Sequence, residues 1–186
     1  MRGFYTLKRI RILGAKLHLH WSIALGSAFL FTGFKDKPLQ AVVAICCYYG
    51  IIFLHECGHA FFAKKLGYPP RNIYLTAIHG LCEYEHPYYQ KEDSVIAWGG
   101  VLAQLAVALP LVLLGYFVPT PINPYLGVAI AFFGFYSLVI AALNLLPVRG
   151  LDGGLAWRLI PILFREARHR HSAKKRAAAA IIRRVK

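Results

Sequence analysis

Acidic residues are scarce in this chain: Asp and Glu number 8 against 22 Lys and Arg, a formal charge of +14 over 186 residues. Charge of either sign is missing from long stretches, since 58% of the residues are hydrophobic and the mean hydropathy is +0.48. That excludes an ordinary soluble domain of this size and identifies a membrane protein. Cysteine is limited to Cys46, Cys47, Cys57 and Cys82. All four fall within apolar runs or on their cytosolic side, so no disulfide framework is expected and they read as small apolar fillers or free thiols. The first fifteen residues lack the compact apolar core and small-residue cleavage site of a signal peptide, and the first apolar run is therefore expected to remain as an anchor. No internal repeat is apparent.

What the chain has in abundance is apolar length. Four runs approach or exceed the roughly 20 helical residues that a hydrocarbon core requires: 21–34, extended backward by 17–20; 39–63; 95–118; and 125–146. A fifth, 151–164, is short and carries Arg158 and Pro161, which suits a partly buried or interfacial helix. Trp21 and Trp98 near one set of ends, and Tyr116 and Tyr125 near the other, match aromatic belts at two interfaces. With both termini cytosolic, only Lys35 and Lys37 of the basic residues fall outside, as the positive-inside rule requires. The outer connections 35–38 and 119–124 are short and proline-containing, which leaves no external domain. The tail 165–186 then lies against anionic lipid, with 177–180 and its basic flanks suited to an amphipathic surface helix. This accounts for the positive charge without nucleic acid as a partner. The one long connection, 64–94, alternates over 73–78 and predicts a short strand or hairpin at the cytosolic face.

The expected architecture is an all-α membrane protein of four transmembrane helices, the fourth broken, with a small cytosolic strand-like loop. Its expected divisions are a basic N-terminal segment 1–16, an intramembrane core 17–164 and a basic tail 165–186. The chain is expected to be a multi-pass protein of the cell membrane.

Chemistry concentrates in His55-Glu56-Cys57-Gly58-His59, inside the second run, where ionisable side chains are costly and mark function. Two histidines four residues apart on a helix share a face, so their imidazoles can hold one zinc ion while the neighbouring glutamate reaches water as a general base. Catalytic zinc takes three protein ligands and keeps one open position. Asp152 is the candidate for the third, because Pro147, Gly150, Gly153 and Gly154 should break the fourth run and carry an aspartate into a cavity at the depth of the histidines. His18 and His20 read as interfacial, His79 and His86 as solvated, and His169 and His171 as part of the basic tail. Arg149 and Arg158 read as snorkelling or locally paired, Arg149 lying close enough to Asp152 to affect substrate access.

These residues resemble the site-2 protease family of intramembrane zinc metalloproteases. His55 to His59, continued by Ala60, Ala63 and Gly67, resembles its HExxH helix. Residues 144–154 match its N-x-x-P-x-x-x-L-D-G-G pattern at every fixed position. Gly99-Gly100-Val101-Leu102-Ala103-Gln104 resembles its A-G-P-x-x-N segment, with Val101 and Gln104 departing from it. The resemblance covers residues 39–154 and implies hydrolysis of a membrane-anchored protein substrate within or near the bilayer, one zinc per chain, and release of a signalling factor. Asn144 and Gln104 would hold the substrate backbone or the developing oxyanion through their amides. A substrate helix must unwind before it is cut, and by analogy with strand addition the segment 73–78 would pair with it. The chain has no room for the PDZ or CBS-type domain that some relatives carry, which leaves regulatory membrane partners, prior trimming of the substrate or homo-oligomerisation to control it. Two other classes remain open: a membrane metal transporter using the same three ligands, and a non-catalytic substrate-binding relative.

Overall fold

The structure is a computed structural model that describes residues 3–34, 36–117 and 123–185, with side chains to residue 176. Arg2, Lys35, Lys186, part of the connection 119–124 and the side chains of 177–180, on which parts of the charge and topology reading rest, lie outside the described residues.

The chain begins in extended form. β1 (Phe4–Ile12) and β2 (Ala15–His20) make an antiparallel hairpin through Leu13 and Gly14, whose φ angles of 55° and 109° are the left-handed pair that a two-residue turn needs. Two helices, α1 (Ser22–Thr32) and α2 (Pro38–Lys65), then run out and back. They bring β3 (Asn72–Leu75) parallel to β2, and β4 (Gly80–Glu83) completes the sheet as the antiparallel partner of β3. The order is β1-β2-β3-β4, with β4 on an edge.

This four-stranded sheet corrects the all-α expectation, in which only a strand-like loop was foreseen. It also takes residues 17–20 out of the first apolar run. Ala15 and Leu17 are buried while Lys16 is exposed, a period of two that belongs to a strand half-covered on one face. The boundary drawn at 16/17 falls inside β2.

After the sheet come α3 (Gln90–Phe117) and one continuous helix made of α4 (Pro124–Ile130), a π-helical segment (Ala131–Tyr136) and α5 (Ser137–Asn144). The short α6 (Gly153–Ala156) and the long α7 (Leu159–Val185) end the fold, so the tail continues a helix. Among the described residues three helices are long and apolar enough to cross a membrane: Pro38–Lys65, Gln90–Phe117 and Pro124–Asn144. Their outward faces are apolar, as Phe117 and Phe135 at 75% and 63% exposure illustrate.

α1 has only 11 residues, roughly 16 Å of helix against a core of about 30 Å. Its start lies beside Tyr49, whose hydroxyl donates to the Ile23 carbonyl at 3.0 Å, and it runs back towards Pro38. It therefore accompanies the N-terminal part of α2, while the sheet packs against the C-terminal part. Ala15, Leu17, Ile73, Leu75 and Cys82 form one buried cluster with Ile52 and Ala60 of α2, the stretch that contains the two histidines.

α2 and α3 cross closely because both are glycine at the crossing. A Cβ on Gly58 would overlap the Gly99 carbonyl group, and one on Gly99 would sit 2.7 Å from the Gly58 oxygen. Small residues of this kind let apolar helices associate where there is no hydrophobic driving force between them. Replacing Gly99 by Val should cost about 1–3 kcal/mol through forced separation, read as a lower thermal unfolding temperature in detergent; an unchanged temperature would show that the crossing is looser than described.

Candidate metal centre

His55 and His59 project from one face of α2, buried to 6% and 7% exposure. Each ring is fixed from behind. His59 Nδ1 lies 2.8 Å from the Ile96 carbonyl oxygen, which can only accept, so this nitrogen carries a hydrogen and Nε2 faces forwards as the atom able to ligate a metal. His55 Nδ1 lies 2.9 Å from Gln104 Oε1 in the same manner. Room for both rings comes from Gly100 on α3, where a Cβ would lie 2.7 Å from His55 Nε2 and 2.6 Å from His59 Nε2.

Asp152 arrives from the break that follows the helix 124–144. α5 stops at Asn144, and residues 145–151 fold back before α6 begins at Gly153. Breaking a helix inside apolar surroundings orphans carbonyl groups, which must find donors within the protein. Two indoles provide them. Trp157 Nε1 donates to the Leu145 carbonyl at 2.6 Å and Trp98 Nε1 donates to the Ala156 carbonyl at 3.0 Å, with the two rings in an edge contact at 5.6 Å. The fold-back is tight enough that a Cβ on Gly153 would overlap the carbonyls of Leu145 and Leu146.

The result is a convergence of three atoms. Asp152 Oδ2 lies 2.8 Å from His55 Nε2 and 3.3 Å from His59 Nε2, and the two imidazole nitrogens are 3.0 Å apart. Among the described residues this is the one group of three or more His, Cys, Asp or Glu able to hold a metal ion. Ligands at about 2.0–2.1 Å in a tetrahedron stand roughly 3.3 Å from one another, so the separations fit zinc closely. The chemistry fits too, since two lone pairs and a carboxylate oxygen aimed at one point repel unless a cation lies between them.

Glu56 is 4% exposed and neighbours His55 on the cavity side, and the start of β4 lies over it: a Cβ on Gly80 would overlap its carboxylate. A cavity of about 940 Å³ opens in front, lined by His55, Glu56, His59 and Asp152 and also by Asn144 and Arg149. Asn144 thus lines the cavity. Gln104 does not: it is fully buried behind His55 and serves that ring. His79 and His86 are both exposed, as read; His79 also lines the cavity, and His86 lies 3.9 Å from Asp93. His18 is held in the sheet by Thr6 and Asn72, stacked on Tyr74, and His20 bonds Ser22. All four cysteines are free. Burial pushes the Cys82 thiol up to about 12, which keeps this neighbour of the site in its neutral, weakly ligating form.

The supporting parts were not evident from sequence. Trp98 had suggested an interfacial belt, and the roles of Gly80, Gly100 and Ile96 carry no sequence signal of their own.

No protein-family model matches the chain. It is 26% identical over 159 residues to a zinc metalloprotease of Methanocaldococcus jannaschii, covering 84% of this chain and 45% of that protein. It is 29% identical over 155 residues to stage IV sporulation protein FB of Bacillus subtilis, covering 80% and 48%. The chain thus spans just under half the length of these curated relatives. Among solved structures, the site-2 protease from Methanocaldococcus jannaschii matches with a TM-score of 0.66 at 22% identity, over 84% of this chain and 71% of that one. The fold is that of a site-2 protease, and relatives and fold together support that family.

Replacing Gln104 by Leu removes the partner of His55 Nδ1. Zinc affinity should fall about 10- to 100-fold with helix content unchanged, measured by competition with a chromophoric chelator; undiminished affinity would remove Gln104 from the centre.

Proposed function

We propose that this chain is a zinc-dependent intramembrane endopeptidase of site-2 type, acting on membrane-anchored proteins. The observation that carries this reading is the meeting of two imidazole nitrogens and one carboxylate oxygen within 3.3 Å of one another, beside a buried glutamate and at the wall of a cavity of about 940 Å³. His55, His59 and Asp152 hold the ion, one per chain. When bound, zinc supplies Lewis acidity, which polarises a peptide carbonyl and acidifies water.

The remaining work falls to side chains. Glu56 accepts the proton of the attacking water and returns it to the amine that leaves, a role suited to a carboxylate that ligates nothing. Asn144, at the end of α5 on the cavity wall, offers two N–H donors to the substrate backbone or to the oxygen on which charge develops. Gln104 positions His55 and touches no substrate.

The unwound substrate pairs with β4. The segment 73–78 overlaps β3 over residues 73–75, and that strand is already bonded on both sides, by β2 and by β4. β4 has one partner only, and its residues Gly80 to Cys82 line the cavity. An extended peptide added there has backbone partners beside Glu56 and pockets for alternate side chains.

In this reading the sheet side faces the cytosol with both termini. α1 completes a fourth crossing next to the N-terminal half of α2, while the sheet occupies the depth of the other half. The core 17–164 carries the chemistry, with β1 joined to it through the sheet, and the basic tail lies on anionic lipid of the cell membrane. Membrane partners or self-association regulate access, and the product is a released signalling factor.

Glu56→Gln should abolish cleavage of a single-span reporter while zinc stays at one per chain; cutting at the wild-type rate would refute the proteolytic reading. Gly80→Ala, which presses a methyl group onto Glu56, should slow the same cleavage at least about tenfold with zinc retained, measured as single-turnover rate in detergent.

A further inference from the structure

Two guanidinium groups stand in the cavity wall without a role in the chemistry above. Arg149 lies on the segment joining α5 to α6, and Arg158 lies between α6 and α7; both line the cavity shared with Glu56 and Asp152. Among the described residues neither makes an ion pair.

Among the described residues no acidic side chain pairs with either of them. Of eight acidic residues, Glu56 and Asp152 belong to the centre. Glu83 accepts from Asn72 and Tyr74, Glu85 pairs with Arg71, Glu92 accepts from Tyr68, Asp93 faces His86 and Glu166 pairs with Lys91. Asp36 is exposed in the connection before α2, at the opposite end of that helix from the histidines. The wall around the two arginines is otherwise mostly apolar, with Ile140, Leu143, Leu151 and Leu155. Both arginines are exposed, and of the groups a peptide can bring to them a carboxylate binds a guanidinium best, through two parallel hydrogen bonds.

We propose that Arg149 and Arg158 select a substrate bearing an acidic side chain close to the bond that is cut. The inference rests on the proteolytic reading and deepens it. Arg149 precedes Asp152 by three residues, so its Cα stands within roughly 11 Å of that of Asp152. An extended peptide advances about 3.3 Å per residue, which puts the selected acid within about three residues of the scissile bond. The choice is discriminating because the cytosolic flanks of membrane spans are generally rich in Lys and Arg, which these two residues repel.

The test uses full-length Glu56→Gln protein in nanodiscs of neutral lipid. Its probes are fluorescent peptides that share one helix-breaking sequence and carry Asp, Asn or Lys at positions within three residues of the bond cut by the wild-type enzyme, or of the sequence's centre if none is cut. The Asp peptides should bind about tenfold more tightly than the Asn peptides. The preference should vanish when Arg149→Gln and Arg158→Gln are combined. It should invert in favour of Lys when both become Glu, which a merely structural role cannot produce. Equal binding of Asp and Asn peptides by the parent protein overturns the proposal. So does a double Gln variant that weakens all peptides alike, or one whose defect appears only in vesicles containing phosphatidylglycerol, which would assign the arginines to lipid phosphate. Glu56-dependent cutting that ignores substrate charge would sink this proposal and leave proteolysis standing. Charge-selective binding without any Glu56-dependent cutting would do the reverse.

Discussion

Three electron-rich atoms held about 3 Å apart in a largely apolar interior are the constraint that the rest of this structure answers to. His55 Nε2, His59 Nε2 and Asp152 Oδ2 point at one another, and each is held by the frame around it. Gln104 and the Ile96 carbonyl fix the imidazoles from behind. The carboxylate is delivered by a chain reversal between α5 and α6, where Trp157 donates to the Leu145 carbonyl, while Trp98 donates to the Ala156 carbonyl at the end of α6. Backbone groups freed at such a break need partners from the protein or from water in a cavity. The two indoles therefore belong to the site as much as the ligands do, although neither touches a reactant.

The remainder of the fold sets the depth and the access. Close crossing of α2 and α3 through Gly58 and Gly99 brings Gln104 and Ile96 within reach of the histidines. The sheet packs on α2 between Ile52 and Ala60, so its edge strand β4 lies over Glu56. The cavity is thus lined by the backbone of β4, by the reacting groups, and by the Asn144 amide with the Arg149 and Arg158 guanidiniums. Each contributes something a peptide needs if it is to be held extended and cut.

Much of the site was legible in the sequence because its chemistry is local in sequence. Two histidines at a spacing of four share a helix face wherever a helix forms, and proline with glycines announces a break whatever surrounds it. The parts that escaped are those fixed by contacts distant in sequence. Gln104 looked like a substrate contact until the crossing of α2 and α3 put it behind His55, and Trp98 resembled an interfacial belt residue until the fold-back after α5 brought Ala156 to it. The N-terminal sheet was misjudged for another reason. Leu17-His18-Leu19-His20 was counted as apolar length joined to the next helix, whereas its period of two belongs to a strand. The strand-like character of 73–78 was visible, but only the sheet order shows that β4 offers the free edge.

The most direct measurement is X-ray absorption at the zinc edge on the purified full-length chain. The predicted spectrum has two imidazole nitrogens and carboxylate or water oxygen at about 2.0–2.2 Å and no sulfur, and the imidazole scattering should fall by about half when either His55 or His59 is replaced by Ala and be lost when both are. A sulfur shell near about 2.3 Å, placing Cys57 or Cys82 on the ion, or a spectrum indifferent to the histidine replacements, would contradict it.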